Sequence, residues 1–106
     1  MINNANSYKM KYLRLKMRNK SNENELIIPE GTTHINDRQY ENQNITSVLI
    51  PDSVTEIGDH AFENNELTSV IIPDSVTEIG DSAFADNELT SVTIPNSVTE
   101  IGIGAF

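Results

Sequence analysis

The 106-residue chain contains neither cysteine nor tryptophan. Without cysteine it can form no disulfide bond and no thiolate metal site, although this absence does not decide the cellular compartment. No apolar run approaches the length of a membrane span. The first residues, MINNANS, are polar and unlike a secretory signal peptide. We therefore expect no membrane span and no export signal.

Basic side chains are almost missing after residue 22. Residues 1–22 carry six basic residues and no acid, whereas residues 23–106 carry sixteen acids and the single basic residue Arg38. The two parts therefore have formal charges of +6 and −15. A charge change of this size predicts a boundary close to Ser21 and Asn22, with a basic N-terminal segment, 1–22, before a second unit, 23–106.

The second unit repeats itself every 22 residues. Three sets of residues share this spacing: Pro51, Pro73 and Pro95; Gly58, Gly80 and Gly102; Phe62, Phe84 and Phe106. The copies span 45–66 and 67–88, followed by an incomplete copy at 89–106. A degenerate copy at 23–44 reads LIIPEGTTHINDRQY, with Tyr40 in the place of phenylalanine. Fixed-period similarity of this kind is typical of a solenoid.

Each copy begins with a segment that favours a strand. In LTSVII the apolar residues alternate, and the proline that follows ends the strand. The predicted core of the third copy comprises Leu67, Val70, Ile72, Val76, Ile79 and Phe84. One copy cannot bury these side chains alone, so stability has to come from stacking copies. We expect about four right-handed coils, mainly β, with a parallel sheet formed by the LTSVII segments.

The second half of each copy contains turn residues. We expect an extended piece with a corner through Val76 and Ile79, because three-residue spacing does not suit a flat strand. Gly80 is expected to adopt a positive φ that other residues resist. Asp81 or Ser82 would then cap a single helical turn that carries alanine and phenylalanine.

The stretch LTSVIIPDSVTEIGDSAF resembles the BspA-type, or Treponema-type, leucine-rich repeat, whose pattern is LxxIxIPxxVxxIGxxAF. The resemblance covers 45–106 closely and 23–44 loosely. It implies a leucine-rich-repeat solenoid with a parallel sheet on its concave face, protein binding, cell adhesion, and a surface or secreted location. Two departures stand out: the usual cysteine is here Asn65 and Asn87, and the repeat is one residue shorter.

The exposed side of the predicted sheet is the candidate protein-binding surface. Its residues alternate with the core and are Ser47, Leu49, Ser69, Ile71, Ser91 and Thr93. Solenoids commonly bind along such a surface. Leu49 and Ile71 are aliphatic residues that point away from the core, which favours binding. The alternative is that aliphatic and β-branched residues simply suit strands.

Acidic residues also recur in register. The sets are Glu56, Glu78 and Glu100; Asp52 and Asp74; and Asp59 and Asp81. A ladder of carboxylates can bind calcium, but calcium needs several converging oxygens. The simpler interpretation is solvated charge that discourages association of the open stack. The sequence therefore predicts no metal site and no cofactor.

The basic stretch YKMKYLRLKMRNK, residues 8–20, has apolar residues whose alternation slips once. This pattern favours two short strands, or one strand with a bulge, over an amphipathic helix. We expect this segment to cap the solenoid. Binding to nucleic acid or to an acidic membrane, and a disordered tail, are the alternatives; we expect no nucleic-acid partner.

Catalytic residues are not evident. The two histidines, His34 and His60, lie in different copies, and His60 replaces Ser82 as a surface substitution. We therefore predict a non-catalytic protein-interaction module, with a structural spacer in a longer array as the alternative.

The last copy ends without a neighbour on one side of Val92, Ile94, Val98 and Ile101. Unpaired edges of this kind invite association. Continuation of the chain past Phe106, or end-to-end self-association, is therefore expected.

Overall fold

The computed structural model describes Lys9, Met10, Leu13 and residues 24–106. From residue 24 the backbone forms four stacked turns, here named coil 1 (24–44), coil 2 (45–66), coil 3 (67–88) and coil 4 (89–106). Backbone hydrogen bonds connect equivalent positions of successive coils: Thr77 N–H donates to Thr55 O, and Thr99 N–H donates to Thr77 O, both at 2.8 Å. The 22-residue sequence period is therefore also the period of the structure.

Within residues 24–106, six short strands form two parallel sheets. The strands are β1 (Glu25–Ile27), β2 (His34–Ile35), β3 (Ser47–Leu49), β4 (Glu56–Ile57), β5 (Glu78–Ile79) and β6 (Glu100–Ile101). One sheet pairs β1 with β3, and the other has the order β2-β4-β5-β6. Every pairing is parallel and joins positions 22 residues apart. The predicted fold class, a mainly β leucine-rich-type repeat with parallel sheets, is confirmed.

The longer sheet lies on a different part of each coil from the one that the sequence indicated. It is formed by the TEI segments, whereas the LTSVII-type segments pair only between coils 1 and 2. The glycine after each TEI segment explains the difference, because its backbone continues the ladder. Gly80 N–H donates to Ile57 O, and Gly102 N–H donates to Ile79 O, both at 2.8 Å. Close contact between coils at the glycine keeps these segments within hydrogen-bonding distance.

The predicted positive φ at Gly80 is wrong. The left-handed conformation occurs two residues later, at Ser82 (φ 52°) and at the equivalent His60 (φ 57°). Gly80 is required for space instead, because a Cβ atom there would lie 2.5 Å from Asp59 Oδ1 and 2.6 Å from Asp59 N. Residues 81–84 form hydrogen-bonded turns, not a regular helix.

A continuous apolar core runs through the coils. All six core residues predicted for coil 3 are buried. The aromatic residues of successive coils stack in nearly parallel pairs: Tyr40 with Phe62, Phe62 with Phe84, and Phe84 with Phe106, at centroid distances of 5.5, 5.2 and 5.4 Å. Each such pair contributes about 0.5–1.5 kcal/mol beyond the burial of its area. The aromatic stack therefore favours the alignment of each coil with the next at a spacing of 22 residues.

In coil 4 the same core positions are less protected. Val92, Ile94 and Val98 are partly buried against the core, and Ile101 is 51% exposed.

Asn65 is a buried polar residue that connects coils 1 and 2. Its Oδ1 accepts hydrogen bonds from the N–H groups of Gln43 and Ile45, and its Nδ2 donates to Tyr40 O and Phe62 O. Asn87 repeats part of this pattern between coils 2 and 3. The asparagine that stands in place of the usual cysteine therefore joins successive coils by hydrogen bonds.

Lys9, Met10 and Leu13 are helical, with Met10 and Leu13 exposed. The strands predicted for residues 8–20 are therefore wrong at these three positions, and the remainder of the segment lies outside the described residues. In the described part of the chain, no helix is long and apolar enough to cross a membrane.

Candidate protein-binding surface

A groove lies between the first segments of coils 3 and 4. It has a volume of about 360 Å³, and its lining includes Ser69, Ile71, Ser91 and Thr93. Ile71 projects into solvent with 76% of its surface exposed, although its chain neighbours Val70 and Ile72 are buried. We name this feature the 69–93 groove. It presents an aliphatic side chain among small hydroxyl residues.

Four of the six residues predicted for the binding surface line this groove. The other two, Ser47 and Leu49, lie in β3, where they pair with Glu25 and Ile27 of β1. Both are half-buried and do not line the groove. The structure therefore brings together the coil 3 and coil 4 members of the predicted set and separates them from the coil 2 members.

The backbone at the groove differs from the backbone of β3. Residues 69–71 and 91–93 belong to no strand, and within residues 24–106 no backbone–backbone hydrogen bond involves them. Their N–H and C=O groups are consequently able to bond to solvent or to another chain. Strand-like sequence with unpaired backbone groups is a template for adding an extended segment.

The chemistry of the groove is close to neutral. Of the described residues in its lining, Asp74 alone is charged; the others are aliphatic residues, serine, threonine and Pro95. In the described part of the chain, neither arginine nor an aromatic residue lines it, and these are the usual strong anchors of protein interfaces. Ile71 is therefore the side chain on which a partner would make most apolar contact.

A second groove of about 540 Å³ lies along the four-stranded sheet, and its lining is acidic. It contains Glu56 and Glu78, which face each other directly in the register of β4 and β5. His34 Nε2 lies 3.3 Å from Glu56 Oε2 at one end. Among the described residues, no Lys or Arg lines this groove. The recurring glutamates are thus stacked like charges.

The aspartates at repeat positions 37, 59 and 81 have a structural role. Asp37 Oδ1 accepts the N–H of Asp59, Asp59 Oδ1 accepts that of Asp81, and Asp81 Oδ1 accepts that of Ile103, at 2.8, 2.8 and 2.9 Å. Each carboxylate therefore uses one oxygen to bind the backbone of the next coil. This accounts for the recurrence of Asp59 and Asp81 without a ligand.

A cluster that sequence reasoning missed lies where equivalent turns of coils 1 and 2 stack on each other. Glu41, His60 and Glu63 each place one ligand-type atom within 4.8 Å of the others. His60 Nδ1 and Glu63 Oε1 are 2.9 Å apart, and Arg38 Nη1 contacts Glu41 Oε2 at 2.8 Å. The hydrogen bond from His60 is the main cause that lowers the pKa of Glu63. The sequence feature that indicates this cluster is that Glu41 and Glu63 occupy the same repeat position in successive coils.

Comparison with protein families decides what this repeat is. The model described as "BspA type Leucine rich repeat region (6 copies)" matches residues 16–106. The chain belongs to the BspA-type leucine-rich repeat family. A search of curated proteins found no match.

A solved structure supports the same assignment. The chain is similar to a leucine-rich repeat protein from Bacteroides ovatus ATCC 8483, whose crystal structure was determined at 1.19 Å resolution. The sequences are 32% identical and the TM-score is 0.68, with 77% of this chain covered. The match spans only 22% of the Bacteroides chain. Membership of the BspA-type family indicates a protein-interaction or repeat module, of a kind that is generally non-catalytic.

Proposed function

We propose that this chain is a non-catalytic protein-interaction module that binds an extended segment of a partner protein in the 69–93 groove. The observation that carries the proposal is the coincidence, in one groove, of unpaired strand-like backbone with the exposed Ile71. Backbone hydrogen bonds to residues 69–71 or 91–93 would supply affinity. Contact with Ile71 would select partners that carry a small or aliphatic side chain at that point.

An adhesive role, at a cell surface or after secretion, is the setting that we propose for this binding. Its support is the BspA-type family resemblance alone. The alternative is that these coils act as a structural spacer within a longer array and bind no partner themselves.

The test is selection from a displayed library of random peptides against the folded chain. Each enriched peptide is then measured by calorimetry against the double variant S69R/I71R, which fills the groove with bulk and charge. The matched control is I103R, because Ile103 is also an exposed aliphatic residue, at 86% exposure, but lies outside the groove. We expect peptides that bind the wild-type chain and I103R but not S69R/I71R.

Two results would count against the proposal. If no peptide is enriched, the spacer role is favoured. If enriched peptides bind S69R/I71R as tightly as the wild type while circular dichroism shows both to be folded, the binding surface lies elsewhere.

End-to-end association of two chains is a second candidate, supported by exposed apolar side chains in coil 4. Ile101, Ile103 and Phe106 are 51%, 86% and 47% exposed. Sedimentation velocity should then show a concentration-dependent dimer that I103R weakens. A strict monomer at high concentration would end this idea.

A further inference from the structure

We propose that Glu41, His60 and Glu63 form a binding site for a divalent transition-metal ion, of which Zn²⁺ is the most suitable probe. The site is separate from the 69–93 groove and connects coils 1 and 2. Its three candidate ligand atoms lie within 4.8 Å of one another. Ligand atoms around a tetrahedral zinc ion are separated by about 3.4 Å, given zinc–ligand distances of about 2.1 Å. We expect rotamer changes of the two glutamates to close the difference.

The local backbone explains why the three side chains converge. His60 and Glu63 are three residues apart on one turn, and their side chains already meet at 2.9 Å. Glu41 occupies the repeat position of Glu63 one coil earlier, so stacking brings its carboxylate beside the same turn. The positive φ of His60, 57°, belongs to this turn and recurs at Ser82.

Partial burial favours ion binding over simple solvated charge. The side chains of Glu41, His60 and Glu63 are 19%, 29% and 22% exposed. The partly buried carboxylates of Glu41 and Glu63 repel each other, and a divalent cation would relieve that repulsion. Arg38 partly compensates by its 2.8 Å contact with Glu41, and it therefore competes with a metal ion.

The chemical nature of the three ligands, one imidazole and two carboxylates, determines which ion would bind. Calcium takes six to eight oxygen ligands and magnesium prefers water and carboxylates, whereas an imidazole together with carboxylates suits zinc and neighbouring transition metals. Three protein ligands leave a fourth position for water or for a group from a partner. A bound ion would join coil 1 to coil 2 and thereby stabilise the stack.

The repeat supplies variants that the fold already accepts. Coil 3 carries Ser82 and Ala85 at the positions of His60 and Glu63. The variant H60S therefore removes the imidazole using a residue found at that position in the same conformation. The control H34S removes the other histidine, which also lies beside a glutamate, Glu56, but belongs to no group of three ligand-type side chains among the described residues.

The first measurement is zinc binding to chelator-treated protein by competition with a chromogenic chelator. We expect one Zn²⁺ per wild-type chain, binding to H60S weaker by at least about tenfold, and binding to H34S unchanged, since even residues that only support ligands contribute ten- to a hundredfold. Zinc should also raise the thermal midpoint of the wild type more than that of H60S, and calcium should not substitute for it.

If H60S does not fold normally, a second variant still tests the proposal. The triple variant H60S/S82H/A85E moves the arrangement by one coil and retains Glu63 as the shared carboxylate. We expect it to recover zinc binding relative to H60S. Removing Arg38 with R38S should tighten zinc binding. Equal zinc affinity of the wild type and H60S, or loss of binding in H34S, would overturn the proposal.

Discussion

Gly80 and Asp59 are in contact across the boundary between coils 2 and 3. A Cβ atom on Gly80 would lie 2.5 Å from Asp59 Oδ1, the same atom that accepts the N–H of Asp81 at 2.8 Å. The repeated glycine is therefore a place where two coils touch, with no side chain between them. The contact keeps β4 and β5 close enough to pair.

The variant G80A should destabilise the fold by about 1–3 kcal/mol, because the added methyl group has to displace backbone atoms of the preceding coil. Urea denaturation followed by circular dichroism would measure the loss. The control is S82G, which places glycine at the position that has the positive φ. It should be neutral or slightly stabilising. If S82G is damaging and G80A harmless, the close-contact explanation is wrong.

The variant N65A should cost at least about 2 kcal/mol of unfolding free energy. Asn65 bonds the N–H groups of Gln43 and Ile45 and two carbonyl groups, so its removal leaves buried polar groups unsatisfied. The control N96A changes an exposed asparagine in coil 4 and should fall within about 0.5 kcal/mol of the wild type. Equal urea midpoints for the two variants would show that the hydrogen bonds of Asn65 do not stabilise the contact between coils 1 and 2.

The variant E78K should stabilise the protein at low salt, because Glu78 lies in register between Glu56 and Glu100. Like charges directly opposite each other on paired strands are destabilising, and opposite charges contribute about 0.2–1 kcal/mol. The advantage should shrink as salt screens the charges. The control E66K makes the same change of net charge at an exposed position outside the sheet. Thermal midpoints at several salt concentrations would separate the two, and an equal gain for E66K would show that only net charge matters.

The variant Y40F should preserve the fold, because phenylalanine occupies the same position in coils 2, 3 and 4. Burial raises the pKa of Tyr40 above its usual value. Tyrosine ionisation therefore favours the unfolded chain: stability is retained below the unfolded-state pKa and is lost as pH rises through the folded-state pKa. Y40F should remove this alkaline loss. Tyrosinate absorbance should show one late-titrating group in the wild type that is absent from Y40F.

Much of the fold follows from residue spacing. The 22-residue period and the alternation in LTSVII predict the buried residues of coil 3, since a side chain repeated at fixed spacing meets its own copy when coils stack. Leu67 and Phe84, for example, are both fully buried. The parallel direction of the strands follows from the same repetition.

The candidate site was only partly accessible to sequence reasoning. Ser69 and Ile71 were identified from alternation, but the same alternation included Ser47 and Leu49, which pair with β1 and are half-buried. Alternation defines which way a side chain points from its own strand. It does not tell whether the neighbouring coil pairs with that strand or leaves a groove.

By itself the amino-acid sequence determined the period, the core positions and the family of this protein, because each is a property of residues repeated along the chain. Only the tertiary structure decided that the long sheet runs through the TEI segments, that Gly80 provides space, and that Glu41 meets His60 and Glu63. These features depend on the distance between stacked coils. That distance results from packing between residues 22 positions apart, and no local pattern encodes it.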